Sequence, residues 1–211
     1  MGLFQSLGDN CEFGLVQSRL GAEPLGLYRY ANTKIDGLIA AFESRFVALQ
    51  SPENIEVRYC EFPSGEFEYI TTVRQYQYIS HTGYQSDRMS VDEVRIKEIK
   101  RLNFLARTLI DDAEAGKKIF VYKSNVPVAE HRIEDLHRAI GRYGSTWLLW
   151  VTPATADWAA GRVEEISGRL LRGSIERFAP YQEAGDYSLR GWQMICSNAH
   201  DLWAARRPTR A

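Results

Sequence analysis

"KKIFVYKSN", Lys117 to Asn125, carries Ile119, Phe120, Val121 and Tyr122 between flanking lysines, and "TWLLWV", Thr146 to Val151, is a second run of the same kind. Short apolar runs bounded by polar residues read as strands buried on both faces. Between them "EDLHRAIGRYG", Glu134 to Gly144, reads as a helix closed by glycine. A strand, helix, strand unit of this length implies a right-handed crossover and parallel pairing. The expected fold class is therefore α/β, with a central, mostly parallel sheet flanked by helices and an antiparallel hairpin in addition.

Upstream of this unit, Leu3 to Leu7 is a short apolar stretch ending in Gly8, read as a buried strand and a tight turn. Phe13, Leu15, Val16 and Leu20 then recur at helical spacing, with Gly21 as the C′ residue. "AEPLGLYRYANTKID", residues 22–36, reads as a loop. Asp36 is the expected N-cap of a second amphipathic helix using Leu38, Phe42, Phe46 and Leu49, ended by Ser51-Pro52. "IEVRYCEF" and "EFEYITTV" alternate apolar with polar around "PSG" and predict a hairpin. "YQYIS" is a further strand leading to His81. Ser90 and Glu93 form a capping box that opens a long helix closed by Gly116. Downstream, helices are expected around Arg162 to Phe178 and around Leu189 to Ala205, the latter capped by Asp186. The expectation is one α/β domain over residues 1–205 and a basic, flexible tail over 206–211, carrying Arg206, Arg207 and Arg210.

The chain has 211 residues, 45% of them apolar and 25% charged, with a net charge of −1. This balance gives no bulk attraction to nucleic acid or an anionic membrane. No run approaches the ~18 apolar residues of a membrane span, so membrane insertion is not expected. The first residues lack the basic and apolar regions of a secretory signal, and the three cysteines, Cys11, Cys60 and Cys196, show no CxxC spacing. A reducing cytoplasm is the expected setting. Phosphate-loop, dinucleotide-fold and HExxH patterns are missing, so neither a cofactor nor a metal is expected. "GDN" is similar to the Gly-Asp-Ser opening of lipase-like esterases, but Asn10 stands where their serine would be. Substrate and oligomeric state are left open by the sequence.

"SLGDNCEFG", Ser6 to Gly14, sets Cys11 between the first strand and the first helix. A thiol at a helix N-terminus beside a histidine can have its pKa lowered from ~8.5. Unpaired N–H groups there, near Glu12 and Phe13, could hold an oxyanion. The alternative is an inert, packed cysteine. Among four histidines, His131 and His137 lie in or beside a charged helix, and His200 lies on the last helix. His81 ends a strand and begins a glycine-containing loop, a common place for functional side chains. Asp9, Asn10 and, more weakly, Asp87 are candidates to orient its imidazole. An ionised Asp9 would raise the Cys11 pKa unless paired with His81 or Arg29. Lys123, Ser124 and Asn125, at the exit of a parallel strand, are candidate substrate ligands, and Arg29 is counted with them.

"SLGDNCEFGLVQ", followed at a distance by a strand ending in His81, a charged helix and "KKIFVYKSN", resembles a bacterial family of uncharacterised papain-like cysteine peptidases that opens with Ser-Leu-Gly-x-x-Cys. Ser6, Leu7, Gly8 and Cys11 match that opening, and the resemblance runs from Phe4 to about Val151. It implies that Cys11 is the nucleophile and His81 the base. Members commonly carry Asp directly after the histidine, where this chain has Thr82, which leaves the third group open. Longer relatives lie beside glycan-biosynthesis genes, which implies a surface-polysaccharide context. The expected activity is a hydrolase or acyl transferase acting on an ester, thioester or amide of a small molecule, glycan or peptide. The alternative expectation is a non-catalytic module holding a sugar or nucleotide-sugar between Lys123 to Asn125 and the loop around Tyr28 and Tyr30.

Overall fold

The computed structural model describes residues 1–62, 65–85 and 89–206. In chain order the elements are β1 (Phe4–Ser6), α1 (Glu12–Arg19), β2 (Ala31–Thr33), α2 (Ile35–Glu43), β3 (Ile55–Glu61), β4 (Phe67–Val73), β5 (Tyr78–His81), α3 (Val91–Ala115), β6 (Ile119–Lys123), α4 (Glu130–Gly141), β7 (Trp147–Pro153), β8 (Val163–Ser167), β9 (Leu170–Ile175) and α5 (Leu189–Ala205). One sheet has the order β1-β6-β7-β9-β8, parallel except for β8. The second is antiparallel, in the order β2-β5-β4-β3. The mixed α/β fold read from the β6-α4-β7 unit is the one observed, and the expected hairpin is enlarged into a four-stranded sheet.

The apolar runs of β6 and β7 follow from their position between two hydrophobic layers. Phe120, Tyr122, Leu148 and Trp150 face one cluster, with α2, α3 and α4. Ile119, Val121, Trp147, Leu149 and Val151 face the other, with Phe13 and Val16 of α1 and Trp192, Ile195, Cys196 and Ala199 of α5. A strand alternates its side chains between faces, so burial on both sides removes the polar positions from the pattern. The antiparallel sheet lays one face on α3. There Glu98, fully buried, accepts from Thr71 of β4 at 2.9 Å and from Arg101 at 2.6 and 2.8 Å. The capping box at Ser90 and the left-handed Gly116 bound α3 as the sequence indicates.

Five local expectations are corrected. Residues 162–178 are not a helix but the β8–β9 hairpin, turning through Gly168 and the left-handed Arg169. Asp36 lies in the first turn of α2, whose N-cap is Lys34, and α2 stops at Glu43, because Arg45 and Phe46 adopt positive φ. Phe46 still enters the core. The loop over residues 22–36 contains β2, and α5 is capped by Ser188, whereas Asp186 pairs with Arg177. Asp87, Pro63 and Ser64 of the hairpin turn, and Arg207 and Arg210 of the tail lie outside the described residues.

Gly37 shows how tightly α2 approaches the turn before β5. A Cβ built there would sit 1.9 Å from the Tyr76 carbonyl oxygen, which Thr33 Oγ1 also contacts, donating at 2.9 Å. Gly37→Ala is therefore expected to destabilise the fold by about 2 kcal/mol through overpacking. Gly141→Ala, at a position with open space, is expected to be neutral or stabilising by roughly 0.5 kcal/mol. Urea midpoints of the two variants check the contrast.

Candidate functional site

The site is assembled where β1 and β6 end. Leu7 N–H still donates to Val121 O at 2.9 Å, and then Gly8 and Asp9 both adopt φ near +90° (90° and 89°). Glycine tolerates that conformation; for Asp9 it is strained by about 1–3 kcal/mol and must be held by its surroundings. The Asp9 carboxylate accepts from Asn125 N–H at 2.8 Å and from the Tyr181 hydroxyl at 2.7 Å. Beneath it Lys123, 1% exposed, places Nζ 3.0 Å from Glu12 Oε2, 2.5 Å from Asn125 Oδ1 and 3.7 Å from Asp9 Oδ2. Glu12 Oε1 also accepts from Trp192 Nε1 at 2.8 Å. The loop thus turns sharply and delivers Cys11 to the N-cap of α1.

Cys11 is half-buried and lines a cavity of about 1110 Å³ shared with Asn10, Tyr30, Phe62, Ile70, Ile79, His81 and Tyr122. His81 reaches that cavity from the antiparallel sheet. Its Nδ1 lies 2.7 Å from Glu68 Oε2, and Glu68 Oε1 accepts from Gly83 N–H at 2.7 Å. A carboxylate can only accept, so Nδ1 carries a proton and donates to Glu68. Phe62 stacks on the imidazole at 5.6 Å. The pairing Ile70↔His81 brings Glu68, two residues earlier on β4, beside the ring. Thr82, standing where the resembled family has Asp, donates through Oγ1 to Tyr69 O and fixes the loop after β5.

Glu68, which sequence reasoning missed, is therefore the imidazole's carboxylate partner. Asp9, proposed for that role, is turned toward Asn125, Tyr181 and Lys123 instead. Asn10 is directed to the helix: its Oδ1 accepts from Glu12 N–H at 3.0 Å. The Glu12 N–H is thereby removed from the expected oxyanion donors, and the Phe13 side chain packs on Trp192 in the core. Asn10 Nδ2, in contrast, is buried and without a hydrogen-bond partner among the described residues. Arg29 is not a cavity residue. It is buried and bonded to Ser18 Oγ, Ala22 O and Glu23. Of Lys123, Ser124 and Asn125, Ser124 lines the cavity, while Lys123 and Asn125 brace the loop below it. Tyr28 is in the core, and Tyr30 reaches the cavity.

The electrostatics of Cys11 run opposite to the sequence expectation. Burial, and then the charge of Glu68, push its thiol up to about 11, with Lys123 pulling the other way. No hydrogen bond joins Cys11 Sγ to His81 among the described residues. Cys11 therefore rests as a thiol. Iodoacetamide should accordingly label Cys11 more slowly than the half-buried Cys60 on β3, with a rate climbing roughly tenfold per pH unit toward pH ~10, because only the thiolate reacts. Peptide mapping after labelling separates the two sites. Cys196, buried in the core with its thiol pushed up to about 12 by burial, should stay unlabelled.

The remaining histidines lie elsewhere. His131 and His200 are exposed, and burial followed by the charge of Arg169 lowers the pKa of half-buried His137. Among the described residues no group of three or more His, Cys, Asp or Glu side chains could hold a metal ion, and no helix is long and apolar enough to cross a membrane. In comparisons with known proteins, no family model and no curated protein matches the chain.

Proposed function

We propose that the protein is a cysteine-dependent hydrolase or acyl transferase acting on an ester, thioester or amide. The observation that carries this reading is the Glu68–His81 pair, whose imidazole lines the same cavity as Cys11. With a substrate carbonyl in the cavity, Nε2 takes the Sγ proton as sulfur attacks the carbonyl carbon. Glu68 faces the imidazolium that forms. Asn10 Nδ2, without a partner among the described residues, donates to the oxyanion. Collapse of the tetrahedral intermediate expels the leaving group with the proton from His81, and water or an acceptor then releases the acyl group from Cys11.

The raised Cys11 thiol fits a general-base mechanism, in which the proton leaves during attack, better than a preformed thiolate. The likeness of Ser6 to Cys11 to the papain-like family supports the same roles for Cys11 and His81, with Glu68 supplying the third group. Work on a bacterial surface glycan, in the cytoplasm, is part of the same proposal. Release of p-nitrophenolate from p-nitrophenyl acetate tests the reading. Cys11→Ala should abolish turnover, and Asn10→Ala should lower kcat by about 10²-fold, the usual cost of one oxyanion donor. Turnover that survives Cys11→Ala would refute it.

A further inference from the structure

We infer that the cavity beside Cys11 takes the apolar chain of an acyl ester or thioester, a substrate class that rests on the acyl-transfer reading above. Much of its wall is apolar, although Asn32, Lys34, Asp36, Ser124 and Gln182 also line it. Ile79 on β5 is 47% exposed and Val126, in the loop after β6, is 59% exposed, yet both line the cavity. Ile70 and Phe62 continue the sheet side, and Pro127 and Val128 continue the loop side. Apolar side chains left wet inside a cavity gain free energy when a chain displaces that water.

The same walls are poorly suited to a peptide. The backbone groups of β4 and β5 are paired with each other in the sheet, Val126 N–H donates to Ser124 Oγ at 3.1 Å, and Pro127 has no N–H. Peptide amides set against these groups would lack backbone partners, at a cost of about 1–3 kcal/mol for each buried one. An alkyl chain has no such groups to satisfy. The ester carbonyl belongs beside Asn10, Cys11 and His81, and the alkyl chain along Phe62, Ile70, Ile79 and Val126.

Two readouts test this. The first is the acylation rate of wild-type protein by acetyl, butanoyl, octanoyl and dodecanoyl p-nitrophenyl esters, expected to rise about fourfold per added methylene until the cavity is filled. The second is calorimetric titration of Cys11→Ala with dodecanoate, expected to show binding that Ile79→Asp weakens by at least about tenfold. Val126→Asp, in the loop after β6 at an exposed position, should do the same and serves if Ile79→Asp fails to fold. Dodecanoate binding without acylation of the wild type would uphold the apolar site and sink the acyl-transfer reading. Acylation of Cys11 at one rate for all four esters, with no dodecanoate binding, would overturn the acyl-chain site and leave the reaction standing.

Discussion

Glu68→Gln is expected to slow acylation of Cys11 by roughly 10³- to 10⁴-fold while leaving the fold intact, as loss of the correct imidazole tautomer does in related triads. The substitution is nearly isosteric, so the Gly83 N–H can keep an acceptor in the amide oxygen. The amide nitrogen then faces His81 Nδ1 and donates to it. Nδ1 must become the acceptor, and the ring proton moves to Nε2, the atom that has to receive the Cys11 proton. Glu68→Gln also removes the negative charge that raises the Cys11 thiol. Its apparent pKa in iodoacetamide labelling should therefore fall while acylation slows. That opposite movement separates a positioning carboxylate from one that merely supports the strand. Unchanged acylation in a folded Glu68→Gln protein would remove Glu68 from the mechanism.

Lys123→Met is expected to destabilise the protein by about 3–5 kcal/mol, the range found when one member of a buried ion pair is removed. Lys123 is 1% exposed and Glu12 is fully buried, so the variant leaves the Glu12 carboxylate without its cation and withdraws support from Asp9. For a chain of this size the loss corresponds to a fall in melting temperature of roughly 10 °C. Adding Glu12→Gln should recover part of it, since the uncompensated charge is then gone. Because Lys123 favours the Cys11 thiolate, labelling of folded Lys123→Met at Cys11 should also slow. Thermal melts of wild type, Lys123→Met and the double variant check the first claim. A loss below about 1 kcal/mol would mean that the buried network does not hold the Asp9 loop.

The parallel sheet was legible because burial on both faces leaves an uninterrupted apolar run at Ile119–Tyr122 and Trp147–Val151. The β8–β9 hairpin was not, because Val163, Ile166, Leu170 and Leu171 fall at helix-like spacing and only the Ser167-Gly168 turn signal marks the reversal. Cys11 and His81 could be singled out by position, one before a helix and one at a strand end. Glu68 could not, since its role depends on the register that sets Ile70 opposite His81, and register across strands is not written in local spacing. A glutamate within the alternating pattern of a strand that pairs with the histidine's strand was the available signal. Lys123 looked like a strand-exit ligand for the same reason that many polar residues do. Its burial between Glu12 and Asp9 follows from the helix α1 packing above β6.

The most direct measurement is the intact mass of the protein after brief exposure to p-nitrophenyl acetate across a range of pH, in wild type and His81→Ala. One acetyl group on Cys11, added at a rate that drops by about 10²- to 10⁴-fold in His81→Ala, is the predicted result. Acetylation that spares Cys11, or that proceeds equally in His81→Ala, would contradict a Cys11–His81 site.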